Sequence, residues 1–203
     1  MYVKVCGLRT EGDVAAAVGA GADAVGFVFA ASPRKIDIPT ARKLIADVPP
    51  NVLTVGVFLK QPAEEVREIA LATGVGILQL HGDYPHETFA ELAEFRLMRA
   101  TSLTPETDIT VGAFGEELLL LDSPQAGSGE RWDLTPIASS RPEGQWLLAG
   151  GLNPGNVRAA IDAVRPWGVD VSSGVESSRG VKDHDLIRAF VAEAKRITAD
   201  KSS

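Results

Sequence analysis

The 203-residue chain contains one cysteine, three histidines and 6% aromatic residues. No apolar run approaches the ~20 residues that a membrane-crossing helix needs, so no membrane partner is expected. A lone cysteine, Cys6, excludes an internal disulfide and any multi-cysteine zinc or iron–sulfur site. A reducing cytoplasm is therefore the simplest expected location. His81, His86 and His184 are too scattered to suggest a metal centre, and only His81 falls at a strand end. No basic stripe is present, and 20 Lys+Arg against 27 Asp+Glu give a net charge of -7, which argues against nucleic acid as a partner. No charged-then-apolar leader opens the sequence, because residues 2–6 already read as a strand. A P-loop, a nucleophile elbow and a dinucleotide fingerprint are all missing.

Hydrophobic residues at 45% and charged residues at 23% fit a soluble globular protein. The length predicts a single domain over 1–203, with a frayed tail near 198–203. Short runs rich in β-branched residues recur at 2–6, 24–29, 52–58, 76–80, 96–100, 117–122, 146–149 and 168–172. Helical stretches lie between them. Thr10, Pro39, Pro62, Pro85, the Asn153-Pro154 pair and Asp183 mark their starts, and Gly19, Gly21, Gly74 and the Pro49-Pro50 pair mark stops. Helices are also expected at 104–114 and 134–140. Eight strand-then-helix units predict an α/β fold, a closed (β/α)8 TIM barrel near the lower size limit for that architecture. The alternative is an open doubly wound sheet, which would want a glycine fingerprint where Gly7-Leu8-Arg9 stands.

Side chains alternate along a strand, so each strand sorts into two faces. In the first strand Val3 and Val5 oppose Lys4 and Cys6, and in the eighth Val169 and Val171 oppose Asp170 and Ser172. With the valines against helices, Lys4 and Asp170 face the lumen on strands that become neighbours when the barrel closes. Buried charges need partners, so an ion pair is expected between them. The same sorting places Gln79, His81, Arg99 and Asp122 on lumen faces. A single charge at a strand end often just reaches solvent, but five strands agreeing is a pattern.

Active sites of such barrels lie at the C-terminal ends of the strands. There stand Cys6, Arg34, His81 and Asp122, with glycine-rich turns at Gly127, Ser128 and Gly129, at Gly150 and Gly151, and at Ser172, Ser173 and Gly174. Unobstructed backbone N–H groups beside a helix start make a phosphate cradle. A free cysteine is commonly an inert small hydrophobe. Cys6, however, ends a lumen face, and nearby Lys4, Arg34 or Arg99 could lower its thiol toward a working base. Asp122 could be a turn cap, yet its run of four leucines favours a carboxyl that keeps its proton. His81 either bonds a ligand or orients its loop. Trp132, Trp146 and Trp167 are expected to pack rather than stack on a ligand.

Several segments together resemble the phosphoribosylanthranilate isomerase family. They are Lys4-Val5-Cys6-Gly7, the stretch 21–29, Ser32-Pro33-Arg34, Val55-Gly56-Val57-Phe58, Gln79-Leu80-His81-Gly82, Leu120-Leu121-Asp122, Gly150-Gly151-Leu152-Asn153-Pro154 and the stretch 170–176. They run in order along nearly the whole chain. The resemblance implies a (β/α)8 barrel acting in tryptophan biosynthesis, converting N-(5-phosphoribosyl)anthranilate to 1-(o-carboxyphenylamino)-1-deoxyribulose 5-phosphate by an Amadori rearrangement. It implies Cys6 as general base, Asp122 as general acid and Arg34 as the anchor for the anthranilate carboxylate. It also implies a phosphate cradle from the three glycine-rich turns, no cofactor and no metal, and a small phosphoribosyl substrate as partner. The chain could be a monomer or a homodimer. The sixth loop departs from the family pattern: Ala126 replaces a glycine and Glu130 a lysine, with Arg131 beside it. Another phosphosugar barrel would want Asp where Cys6 stands, or a lysine at the mouth, and Lys4 lies two residues too deep for that. A phosphate-binding barrel without catalysis would make Cys6 and Asp122 dispensable.

Overall fold

A computed structural model describes residues 1–104, 106–123, 134, 137, 139 and 141–196. Eight parallel strands close into a barrel in chain order: β1 (Tyr2–Cys6), β2 (Ala24–Val28), β3 (Leu53–Phe58), β4 (Ile77–His81), β5 (Arg96–Ser102), β6 (Leu118–Asp122), β7 (Trp146–Leu148) and β8 (Gly168–Val171). The closure is β1 against β8, with Lys4 opposite Asp170. Around it lie α1 (Glu11–Gly19), α2 (Ile38–Ala46), α3 (Ala63–Thr73), α4 (His86–Glu91), α5 (Val157–Val164) and α6 (His184–Lys195). Between β8 and α6 the chain makes a 3-10 turn at Ser173–Val175 and a small antiparallel hairpin, β9 (Glu176–Ser178) with β10 (Val181–Lys182). The open-sheet alternative falls with the closed ring. Sequence reasoning did not anticipate the hairpin.

Local chemistry sets the helix ends. The Thr10 hydroxyl accepts the Asp13 N–H at 3.1 Å while the Asp13 carboxylate accepts the Thr10 N–H at 3.2 Å, a reciprocal capping box. Asp37 caps α2 through the Thr40 N–H at 2.8 Å, and Asp183 caps α6 through Asp185 and Leu186. The last helix is pinned to the first elements: His184 Nε2 lies 3.0 Å from Asp13 Oδ1, and Lys195 donates to Asp23 at 2.9 Å.

The strand faces divide the core in two. Val3, Val5, Phe27, Leu78, Leu119, Leu121 and Val169 pack outward against the helices. Ala24, Val55, Ile77, Met98, Ala100, Leu118, Leu120 and Leu147 fill the lumen. Each fully buried large side chain contributes about 1.5–3 kcal/mol. Tyr2 and Trp167 stack at 4.3 Å, and Trp146 is buried, so both tryptophans serve packing.

Three expectations fail. Arg99 does not face the lumen: Met98 and Ala100 do, and Arg99 points outward. There its Nε donates to Glu116 at 2.7 Å, its other nitrogens reach the Asp108 and Thr110 carbonyls, and it lies 4.8 Å over the Phe114 ring. That partner set exists only on the helix side. Among the described residues of 104–114 there is no helix. Thr107 instead bonds the Thr104 N–H and the Ser102 carbonyl, and Asp108 the Thr110 N–H, side-chain bonds that compete with helical ones. Finally, Asn153 does not cap α5: its side chain accepts the Gly155 N–H at 2.8 Å, and the helix begins at Val157. The predicted helix at 134–140 lies mostly outside the described residues, as does the tail at 198–203.

Candidate active site

Asp122 closes β6 with its carboxyl in the barrel mouth. Its Oδ1 accepts the Ser123 N–H at 2.8 Å, and His81 Nε2 stands 3.9 Å from Oδ2. The loop after β7 rests directly on it. A Cβ at Gly150 would sit 2.7 Å from Asp122 Oδ1 and 2.5 Å from the Ser123 nitrogen, at a φ of +86, so only glycine fits. Burial raises the Asp122 pKa and the Asp170 carboxylate adds to it, while His81, the Ser123 N–H and Lys4 pull the other way. The net direction is upward, toward a retained proton.

Cys6 ends the lumen face of β1, packed with Val28, Ala30 and Val57. Lys4 lies below it, wholly buried, with Nζ 2.7 Å from Asp170 Oδ1, so the expected ion pair is present. Burial acts against the Lys4 charge, but Asp170 and Cys6 more than offset it and the ammonium is held above its usual range. The Cys6 thiol is not lowered on balance by its cationic neighbours. Burial pushes it up, opposed by Lys4 and Lys182, with Asp170 adding to the rise. Arg99 plays no part, being on the other face.

Arg34 meets the hairpin. Its Nε and Nη2 donate to the two oxygens of Glu176 at 2.6 and 2.9 Å. Glu176 also accepts from the Gly180 N–H and from Lys182 Nζ, both at 3.0 Å. Lys182 is buried, and its ammonium bonds the Ser172 carbonyl at 2.8 Å. The Ser172 hydroxyl in turn donates to the Cys6 carbonyl at 3.2 Å. Sequence reasoning gave Glu176 and Lys182 no role. The available signal was a lysine and a glutamate spaced across a Gly180 turn, which together make a hairpin.

A cavity of about 280 Å³ opens over this floor, lined by Arg34, Asp122, Gly150, Gly151, Ser172, Ser173 and the hairpin residue Arg179, with Asp170 among its lining. Gly174 does not line it. A Cβ there would fall 1.8 Å from the Leu152 carbonyl oxygen, so Gly174 lets the loops after β7 and β8 touch and form one wall. Cys6 and His81 lie beside this cavity rather than in its lining, Cys6 tied to it through Ser172. Gly127, Ser128 and Gly129 lie outside the described residues, as do Ala126, Glu130 and Arg131. Among the described residues no three His, Cys, Asp or Glu side chains gather as a metal site, and no helix is long and apolar enough to cross a membrane.

The family model for N-(5'phosphoribosyl)anthranilate (PRA) isomerase matches residues 3–193. The chain belongs to the phosphoribosylanthranilate isomerase family. It is 42% identical over 200 residues to the isomerase of Thermotoga petrophila, covering 95% of this chain and 98% of that one. Among solved structures, TrpF from Jonesia denitrificans is 52% identical with a TM-score of 0.90, covering 96% of this chain and 97% of that one. A phosphoribosyl anthranilate isomerase solved with reduced 1-(o-carboxyphenylamino)-1-deoxyribulose 5-phosphate is 39% identical, with a TM-score of 0.83 and 96% and 98% coverage. Membership makes this chain an enzyme, an isomerase of tryptophan biosynthesis.

Proposed function

We propose that the chain converts N-(5-phosphoribosyl)anthranilate to 1-(o-carboxyphenylamino)-1-deoxyribulose 5-phosphate, with Asp122 as general acid and Cys6 as general base. The supporting observation is the single cavity that unites Asp122, Arg34 and two glycine-rich loops, with Cys6 joined to it through Ser172. Protonated Asp122 donates to the furanose ring oxygen, the C1–O bond breaks, and the nitrogen lone pair forms an iminium. That cation acidifies the sugar C2–H. The Cys6 thiolate takes this proton, leaving an enolamine that tautomerises to the ketose as C1 gains a proton. The iminium charge beside the sulfur favours the thiolate and offsets the burial that otherwise keeps it protonated.

The backbone around Gly150, Gly151, Ser172 and Ser173 holds the phosphate, together with Gly127, Ser128 and Gly129. Arg34 holds the anthranilate carboxylate, and His81 contacts the sugar near Asp122. Anchoring both ends fixes C1 and C2 between acid and base, so remote binding contributes to rate. Expression of the chain should rescue a tryptophan auxotroph that lacks this isomerase, and the purified protein should consume the substrate. Failure of both rejects the reading.

A further inference from the structure

We propose that Glu176 is the positioning residue for Arg34: it grips one edge of the guanidinium and leaves the other edge turned to the substrate carboxylate. The proposal rests on the reading of Arg34 as the carboxylate anchor and deepens it.

A guanidinium is planar, with five N–H donors arranged as two forks, one at Nε and one Nη and one across both Nη atoms. Glu176 occupies the first fork, with Oε1 2.6 Å from Nε and Oε2 2.9 Å from Nη2. Both hydrogens of Nη1 and the second hydrogen of Nη2 remain. They form an end-on fork of the right size for a second carboxylate. Arg34 lines the same cavity as Asp122 and the glycine loops, and the proposal gives the second fork to a ligand in that space. A long arginine side chain otherwise loses rotamer freedom when it binds. Here that freedom is already removed.

Glu176 is itself held from three sides. The Gly180 N–H and Lys182 Nζ each donate to it at 3.0 Å, and its side chain is only 4% exposed. Lys182 is anchored to the Ser172 carbonyl at the cavity wall. The hairpin turn packs on the loop before Arg34, where a Cβ at Gly180 would lie 2.9 Å from the Pro33 carbonyl oxygen. One carboxylate between two cations leaves a single positive charge over, of the sign that a carboxylate ligand needs. The three partners hold Glu176 far below the usual carboxylate range, at about 2, so it stays ionised at working pH despite the opposing effect of burial.

Calorimetric binding of the product, 1-(o-carboxyphenylamino)-1-deoxyribulose 5-phosphate, tests this beside steady-state kinetics. Glu176→Gln should weaken product binding on the order of tenfold and load its kinetic loss onto KM far more than kcat. Glu176→Asp should recover part of the loss. In an Arg34→Ala background Glu176→Gln should add almost nothing, and inhibition by inorganic phosphate should be unchanged throughout. Equal or tighter product binding by Glu176→Gln overturns the proposal, because Glu176 would then compete with the ligand. An undiminished loss in the Arg34→Ala background overturns it as well. Should the variants fold poorly, a crystal of the unaltered enzyme with product decides: the Glu176 fork must persist with the product carboxylate on Nη1 and Nη2, and a displaced Glu176 refutes the proposal. Product binding without turnover would strike the catalytic reading alone, since the affinities still report on Glu176.

Discussion

Lys4→Met strands a charge in the barrel. Lys4 is fully buried, and its ammonium lies 2.7 Å from Asp170, whose side chain is 11% exposed. Methionine keeps the length and the apolar stem but removes the charge. Asp170, at the base of the cavity, then loses the cation that lay 2.7 Å away. Breaking a buried pair from one side costs about 3–5 kcal/mol, whereas removing both charges is often close to neutral. Against a typical total stability of about 5–15 kcal/mol, the single variant loses a large fraction of its margin. Adding Asp170→Asn should recover at least ~2 kcal/mol of that loss, because the uncompensated charge is gone. Equilibrium urea unfolding followed by circular dichroism at pH 7 reads both variants. A Lys4→Met cost below ~1 kcal/mol, or a double variant whose cost is the sum of the singles, refutes the claim that the two charges depend on one another.

Other consequences are equally specific. Asp122 is held up by burial and Cys6 is held up by burial, so the working state, acid protonated and thiol ionised, is a minority form. Unaltered enzyme should lose kcat/KM once the pH passes the thiol's ionisation, because the productive form needs one proton on the pair and none then remains, whereas the residual activity of Asp122→Asn should rise there as the thiol ionises; parallel profiles contradict the assignment. Arg99→Met leaves Glu116 buried without its guanidinium and should cost about 3–5 kcal/mol of stability with kcat/KM unchanged. A selective loss of turnover would put Arg99 back in the site. Gly174→Ala must push the Leu152 carbonyl away from a Cβ that would otherwise lie 1.8 Å from it. It should cost about 3 kcal/mol and raise KM by separating the two loops; normal stability and KM together would show that the loops do not depend on this contact.

The barrel was legible because its eight strands announce themselves as apolar runs between capped helices, and because Lys4 and Asp170 share a lumen parity that their closure partners confirm. Arg99 was misplaced because Leu97, Met98 and Ala100 put apolar residues on both faces of β5, so alternation carries no sign there. The segment at 104–114 misled because its threonines and Asp108 satisfy backbone groups locally, a choice invisible to helical spacing. Glu176 and Lys182 stayed hidden for another reason. Their partners are 142 positions away in Arg34 and 10 away in Ser172, and only the hairpin brings them together. The pKa of Cys6 was not legible because sequence shows neighbouring cations but not the depth at which the sulfur is buried.

The base–acid pair is tested most directly by steady-state turnover of N-(5-phosphoribosyl)anthranilate by Cys6→Ser and by Asp122→Asn, each checked for an unchanged fold and for product affinity. Each should lower kcat by roughly 10²–10⁴ while product still binds. Near-normal kcat in either variant contradicts the role assigned to that residue.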